Sequence, residues 1–273
     1  MIPLQMGQCS LLAVTAMNLV GKLAQWLPAG RVRAYCGNLI ETELRGFPPG
    51  AVKYRRSQLT ISLDMVLSHY RASRPDVRFV QVGAHDGMSG DPIFSLIEKH
   101  RLRGILVEPQ RDIFEQLKAN YSRFDPANFA FINAALSDHD GTALLYRIKA
   151  GAQGPEWLTQ LASFDRSVVM KHAAVVPGLE SLIETDEVRC ITFATLFKET
   201  GVQHVDMLQV DTEGYDTEIL RLYDIPARRP AIVRFEHKHL RPADHEQALG
   251  TLIDCGYGFS ICGENTLAYL TPD

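Results

Sequence analysis

Two stretches of this 273-residue chain concentrate side chains that can hold a proton, a cation or a cationic ligand. In VDMLQVDTEGYDTEIL (205–220), the apolar run Val205–Val210 empties into Asp211, Glu213, Asp216 and Glu218, with a glycine among them. Isolated charges are costly to bury, so such a cluster at the end of a buried strand marks a mouth that water, a ligand or a cation can reach. In RFEHKHL (234–240), Glu236, His237 and His239 follow another apolar strand. Strand alternation predicts Phe235, His237 and His239 on one face, with Glu236 and Lys238 on the other. If the two strands are neighbours, Asp211, Glu213, Glu236 and His237 converge.

A glycine loop supplies the second kind of chemistry. In FVQVGAHDGMSGDP (79–92), Val80 and Val82 mark a strand, and Gly83 and Gly87 let the backbone turn sharply and approach a ligand. The loop departs from the dinucleotide pattern GxGxxG, because Ala84, His85 and Asp86 stand between its glycines. RGILVEP then ends a strand on Glu108, 25 residues after Gly83. An acid at that tip can accept hydrogen bonds from both hydroxyls of a ribose, a reading favoured over a helix cap alone. Asp86 and Asp91 would repel a pyrophosphate, which relies on free amides and a helix N-terminus. They suit a cation, so the loop favours S-adenosylmethionine over NAD. The third strand tip, Asn133–Ala134–Ala135, is placed to meet the adenine.

The elements that must position these residues are legible from periodicity. Apolar strand-like runs at 78–85, 103–109, 129–137, 205–210 and 231–237 alternate with helical stretches at 92–101 and 112–124, the pattern of a parallel sheet covered on both faces. GTALLYRI (141–148) is expected as a further strand, 149–187 as a long irregular section, and 188–201 as a short strand passing into a helix. YGFSICGENTLAYL (257–270) reads as a hairpin turning at Gly263–Glu264–Asn265. The expected fold is an open α/β sheet, mostly parallel, closed by an antiparallel C-terminal hairpin, with ligands beyond the C-terminal ends of the strands.

Composition narrows the class. The chain is 46% hydrophobic and 22% charged, with a net charge of −4, and lacks the basic surplus of a nucleic-acid binder. RVR (31–33) and KYRR (53–56) read as solvated faces. The five cysteines, Cys9, Cys36, Cys190, Cys255 and Cys262, form no CxxC, which points to a reducing compartment. Residues 10–27 read as an amphipathic helix. Packing on the domain or on a second subunit, as in a homodimer, is favoured over lying on a membrane surface. Residues 62–73 read as a helix after a break at FPPG (47–50).

The order VGAHDG, LVEP, NAALSD, VDMLQVDTEGYDTEIL and FEH resembles the FkbM-type methyltransferases, over about residues 75–270. The resemblance implies a Rossmann-like class I methyltransferase fold with a seven-stranded sheet in 75–273, preceded by a helical extension over 1–74. It implies S-adenosylmethionine as methyl donor and a hydroxyl of a sugar, polysaccharide or natural product as acceptor. Gly83, His85, Asp86 and Glu108 would hold the cofactor, Asp211 and Glu213 would lie beside the methyl donor, and Gln81, Ala84, Asp91, Pro109, Asn133 and Ala134 are the further expected cofactor contacts; His85 stands where related sequences often have asparagine.

Methyl transfer to a hydroxyl needs a base to take its proton. The candidates are Asp211, Glu213, His237 and His239, and His237 leads because its ordinary pKa lies near neutrality. Asp211, Glu236 and His237 could instead hold Mg²⁺ or Mn²⁺, which would acidify the hydroxyl; a base acting without metal is favoured. In 149–187, Trp157, Ser163, Phe164, Asp165, Arg166 and His172 are candidate acceptor contacts, an aromatic beside polar groups suiting a sugar ring, although packing of a lid explains the aromatics equally. The expected partners are a small molecule or glycan and no nucleic acid. The expected location is the cytoplasm, at the inner face of a membrane if residues 10–27 serve that way. The rival readings are an NAD-type oxidoreductase and a non-catalytic scaffold.

Overall fold

In the computed structural model, residues 61–72, 74–155 and 157–270 are described. The expected helix over 10–27, the basic clusters at 31–33 and 53–56, the FPPG break, Cys9 and Cys36 lie outside them. Among the described residues eleven strands follow in chain order: β1 Val77–Val82, β2 Leu102–Val107, β3 Phe129–Ile132, β4 Ala135–Leu136, β5 Gly141–Ile148, β6 Ala162–Ser163, β7 Ile183–Ile191, β8 Met207–Val210, β9 Ile232–Glu236, β10 Gly258–Cys262 and β11 Asn265–Tyr269.

Seven of them form one sheet in the order β10-β11-β9-β8-β1-β2-β3. Pairing from β3 across to β9 is parallel, and β11 runs antiparallel to both its neighbours. The hairpin expected over 257–270 is present, but it turns at Gly263–Glu264 alone; Asn265, expected in the turn, opens β11 opposite Cys262. Alternation along the central strands feeds two cores. Val80, Val82, Ile105, Val107, Leu208 and Val210 face the helices Phe193–Thr200, Asp216–Tyr223 and Pro242–Asp254 through Leu196, Ile219, Leu220 and Leu252. Phe79, Leu106 and Met207 face the other way, onto the helices Leu63–Tyr70 and Arg111–Tyr121 through Leu67, Phe114, Leu117 and Tyr121. These are the two covered faces that continuous apolar strands require.

A second sheet, in the order β4-β7-β5-β6, departs from the sequence reading. The run 129–137 is not one strand: it breaks at Asn133–Ala134, and its last residues pair with β7 in the second sheet. β5 pairs antiparallel with β7 over eight positions, from Gly141 opposite Cys190 to Ile148 opposite Ile183. The section 149–187 therefore ends in a long strand, and it also carries a short helix, Arg166–Met170. Arg147 of β5, almost fully buried, clamps this sheet to the helix Arg111–Tyr121. Its guanidinium donates two hydrogen bonds of 2.6 Å to Asp112 and one of 3.0 Å to Asp186. Among the described residues no helix is long and apolar enough to cross a membrane.

Candidate active site

Parallel pairing sets the tips of four strands at one level. Val82 is opposite both Val107 and Val210, and Val210 is opposite Phe235. The next residue of each strand is Gly83, Glu108, Asp211 and Glu236, which therefore stand side by side along one rim. The chain leaves β1 toward β2 on one side, while β8 and β9 lie on the other, so the rim straddles a topological switch point, where open α/β sheets bind ligands. A cavity of about 490 Å³ opens there, walled on its far side by Leu145, Ala162, Ser163 and Phe164 of the second sheet and the loop after it.

Gly83 is the narrowest point. Its φ is +76°, and a Cβ there would stand 1.8 Å from the Asp211 carbonyl oxygen, so only glycine lets the tips of β1 and β8 close on each other. Its N–H and that of Ala84 both donate to the Val107 carbonyl, at 3.0 Å, tying the loop to β2. Glu108 is buried and is braced by two amides: His85 N–H donates to Oε2 and Gln110 N–H to Oε1, each at 2.9 Å. Each carboxylate oxygen keeps a second lone pair, and Glu108 lines the cavity.

Of the expected cofactor residues, Gln81, Gly83, Ala84, His85, Asp91, Glu108, Pro109, Ala134 and Asp211 line this cavity. Asp86 and Asn133 do not. Asp86 folds back on its own turn, accepting from Met88 N–H, Ser89 N–H and the Ser89 hydroxyl. Asn133 spends its amide on the carbonyls of Glu108 and Pro109, at 2.9 and 3.0 Å, and so positions the β2 tip from outside. Both residue types form turns as readily as they bind ligands. Asp91 has a double duty: it lines the cavity and also accepts from Gln81 and from the amides of Ile93 and Phe94.

The carboxylates of DTEGYDTE (211–218) separate into three environments. Asp211 and Glu213 line the cavity, Asp216 is completely buried, and Glu218 pairs with Arg221 outside. Asp216 organises the loop: Oδ2 accepts from Thr212 N–H, the Thr212 hydroxyl and Gly214 N–H, and Oδ1 accepts from Glu236 N–H at 3.2 Å. This holds Glu213 in the left-handed region, at φ +53°, with its side chain turned toward β9. Burial pushes the Asp211 carboxyl up to about 6 against the pull of Arg234. Burial, then the neighbouring acids, pushes Glu213 to about 7 and Glu236 to about 9.

His237 does not join this group. The strand ends at Glu236, so alternation stops there. His237 Nδ1 meets the Thr266 hydroxyl at 3.1 Å, and its ring stacks on His245 with centroids 4.6 Å apart. The turn brings His239 round instead, its Nε2 lying 3.2 Å from Glu213 Oε2 and 3.8 Å from Glu236 Oε2. The convergent set is therefore Glu213, Glu236 and His239, beside Asp211, in place of Asp211, Glu236 and His237. Among the expected acceptor contacts, Ser163, Phe164 and Asp165 line the cavity, and Phe164 meets Tyr215 edge-on. Arg166 turns outward to Glu180. Trp157 and His172 pair with ring centroids 5.0 Å apart, and His172 lies 5.8 Å from His239. Sequence reasoning passed over Gln209, and placed Arg234 only in a charge network with Lys238 or Arg241 shaping the pocket without metal. Gln209 is buried and lines the cavity, and it accepts from Arg234 at 3.1 Å. The signal was a lone charge inside the apolar run AIVRFE, which needs a partner.

The raised acids carry a sign. Glu236 has a folded pKa above its ordinary 4.5, so its contribution to stability is fully present below that value and is lost as pH rises through about 9. Asp211, Glu213, Asp216 and Lys238 face it. In chelator-treated protein the melting temperature is expected to fall from pH 7 to pH 9, and Glu236→Gln to flatten that slope. Equal slopes for the two proteins would refute the burial of this acid as the cause.

This sheet order, with one antiparallel strand and a site at the tips of β1, β2 and β8, is the class I methyltransferase fold. The sequence matches the Methyltransferase FkbM domain family over residues 81–259, and the chain belongs to that family. A crystal structure of methyltransferase FkbM from Methylobacillus flagellatus KT is similar with a TM-score of 0.50 and 12% identity, covering 94% of this chain; the chain spans 59% of that protein's length. The N-terminal domain of human METTL16 gives 0.42 and 10% identity, covering 83% of this chain and 72% of its own. The precorrin-6y C5,15-methyltransferase from Geobacter metallireducens GS-15 gives 0.37 and 12%, covering 76% of this chain and 85% of its own. None of the curated proteins matches the chain.

Proposed function

We propose that this chain is an S-adenosylmethionine-dependent O-methyltransferase acting on a hydroxyl of a sugar, polysaccharide or natural product. The observation that carries the cofactor is Glu108: a buried carboxylate, braced by two amides and facing the cavity, at the level of a glycine that touches the neighbouring strand tip. Glu108 would take the ribose hydroxyls, with Pro109 and Ala134 beside the adenine. The lining acids Asp91, Asp211 and Glu213 suit a cationic donor and disfavour a pyrophosphate. When bound, S-adenosylmethionine supplies an electrophilic methyl carbon on a sulfonium.

Asp211 is the residue placed to receive the acceptor's proton. It stands on the rim between Gly83 and Glu236, and burial brings its pKa near the working range of a base. The cavity wall formed by Phe164 and Tyr215 beside Ser163 and Asp165 supports a cyclic polyol acceptor, by presenting aromatic rings next to polar groups. A small molecule or glycan is therefore the proposed partner.

Calorimetric titration with S-adenosylhomocysteine and, separately, NADH tests the reading, each with and without Mg²⁺. Micromolar binding of S-adenosylhomocysteine alone is expected. Glu108→Gln should weaken it about 10- to 100-fold, since hydrogen bonds to a charged group contribute about 1.5–3 kcal/mol. Binding of NADH in its place would overturn the proposal in favour of an oxidoreductase.

A further inference from the structure

Glu236 is nine-tenths buried, and its Oε2 has no hydrogen-bond partner among the described residues. The same holds for Glu213 Oε2, which lies 3.2 Å from His239 Nε2 without the geometry of a hydrogen bond. Two carboxylate oxygens thus turn inward around one imidazole nitrogen, and these donor atoms lie within 4.8 Å of one another. The neighbouring cations are committed elsewhere. Lys238 pairs with Glu264 at 3.0 Å, and Arg234 donates to Gln209. Buried carboxylates without a donor or cation are costly, and a dication satisfies both at once.

The geometry is built for it. Asp216 holds Glu213 in its left-handed conformation and binds the amide of Glu236, so one buried side chain aims both acids. The turn after β9 is fixed by His237 N–H to the Glu264 carbonyl, 2.9 Å, and by Leu240 N–H to the His237 carbonyl, 3.2 Å; it returns His239 to the level of Glu236. Donors about 2.1 Å from a shared ion stand about 3 Å apart when cis, so the 3.2 Å pair already fits and the 3.8 Å pair needs a small shift. Two oxygens and one imidazole suit Mn²⁺ or Mg²⁺ with positions left open.

We propose that Glu213, Glu236 and His239 form a divalent-cation site of the Mn²⁺ or Mg²⁺ class, opening through Glu213 on the cavity next to Asp211, where the open positions take the acceptor's hydroxyl oxygens. The role of the ion rests on the methyltransferase reading; its binding does not. A bound cation would acidify the hydroxyl whose proton Asp211 receives.

The test uses the full chain, stripped with chelator and titrated with MnCl₂, with free Mn²⁺ read by electron paramagnetic resonance. One site of micromolar affinity is expected, weakened tenfold or more in Glu236→Gln and in His239→Gln, and unchanged in His237→Gln. Two near-isosteric variants keep the test valid if one fails to fold. Absence of stoichiometric Mn²⁺ binding, or binding indifferent to both substitutions, overturns the site. S-adenosylhomocysteine titration of the same samples separates the two proposals. Cofactor binding without Mn²⁺ binding removes the cation alone; Mn²⁺ binding without cofactor binding removes the methyltransferase reading and leaves the cation site standing.

Discussion

Asp216→Ala is expected to lower the unfolding free energy by about 3–5 kcal/mol and to abolish cofactor binding with it. The residue has no exposed surface, yet four donors converge on its carboxylate: the amides of Thr212, Gly214 and Glu236, and the Thr212 hydroxyl. Alanine leaves the buried amide of Glu236 and the half-buried amides of Thr212 and Gly214 without acceptors, at about 1–3 kcal/mol for a buried one and less where water reaches. The damage spreads to function because those amides fix the β8 loop against β9. With the tether gone, Glu213 has no reason to stay at φ +53°, and Asp211 loses the support of the turn that follows it. Asp216→Asn retains one acceptor oxygen but turns an amide donor toward other donors, so it should fall between wild type and alanine. Urea unfolding of the three proteins, followed by titration of each with S-adenosylhomocysteine, checks this. A loss below about 1 kcal/mol for alanine would mean that water replaces the carboxylate fully and that the loop holds itself.

The sequence carried the main sheet and the position of its ligand cleft, because both follow from local patterns. Apolar strands ending on Gly83, Glu108 and Asp211 are readable one at a time, and parallel register then aligns them without further information. What escaped was non-local. The second sheet joins β5 to β7 across a gap of more than thirty residues, and no short-range signal in GTALLYRI tells which sheet it enters. The break at Asn133–Ala134 looks apolar enough to continue a strand, and only the donation of Asn133 to Glu108 and Pro109 shows why the chain turns. Alternation put His237 and His239 on one face, and His237 was preferred as the histidine next to the strand tip; but β9 ends at Glu236, and the turn carries His237 to Thr266 and brings His239 to Glu213. Acids were located but not sorted: Asp86, Asp216 and Asp211 look alike in sequence, and only the count of amides reaching each one distinguishes a turn former, a loop tether and a cavity acid.

These misses share a physical origin that bears on the site. A rim of strand tips is rigid, since each tip is fixed by ladder hydrogen bonds, whereas the groups beyond it are aimed by turns. Gly83, Glu108 and Asp211 belong to the rigid part. Glu213 and His239 belong to the turns, which is where the chain sets the geometry of the acceptor side and where relatives with the same sheet can differ.

Among the described glycines, Gly83→Ala should be the most damaging added methyl. The added Cβ would stand 1.8 Å from the Asp211 carbonyl oxygen and 2.8 Å from its carbon, and both are backbone atoms of a strand tip that no rotamer change can move aside. The φ of +76° adds about 1–2 kcal/mol for an L side chain, and the overlap adds at least the 1–3 kcal/mol of ordinary overpacking, so a loss of about 3–5 kcal/mol is expected. The tips of β1 and β8 must separate to relieve it, which carries Glu108 away from His85 N–H and opens the cofactor cleft; S-adenosylhomocysteine binding should fall by more than about 100-fold, the 2.7 kcal/mol that two decades represent. Gly90→Ala is the control. It shares a positive φ, +71°, but its Cβ would meet nothing within 4 Å, so it should cost only the conformational part and leave binding in place. Equal losses for the two variants would show that backbone conformation alone governs the loop, and that the contact between β1 and β8 is not what holds the cleft shut.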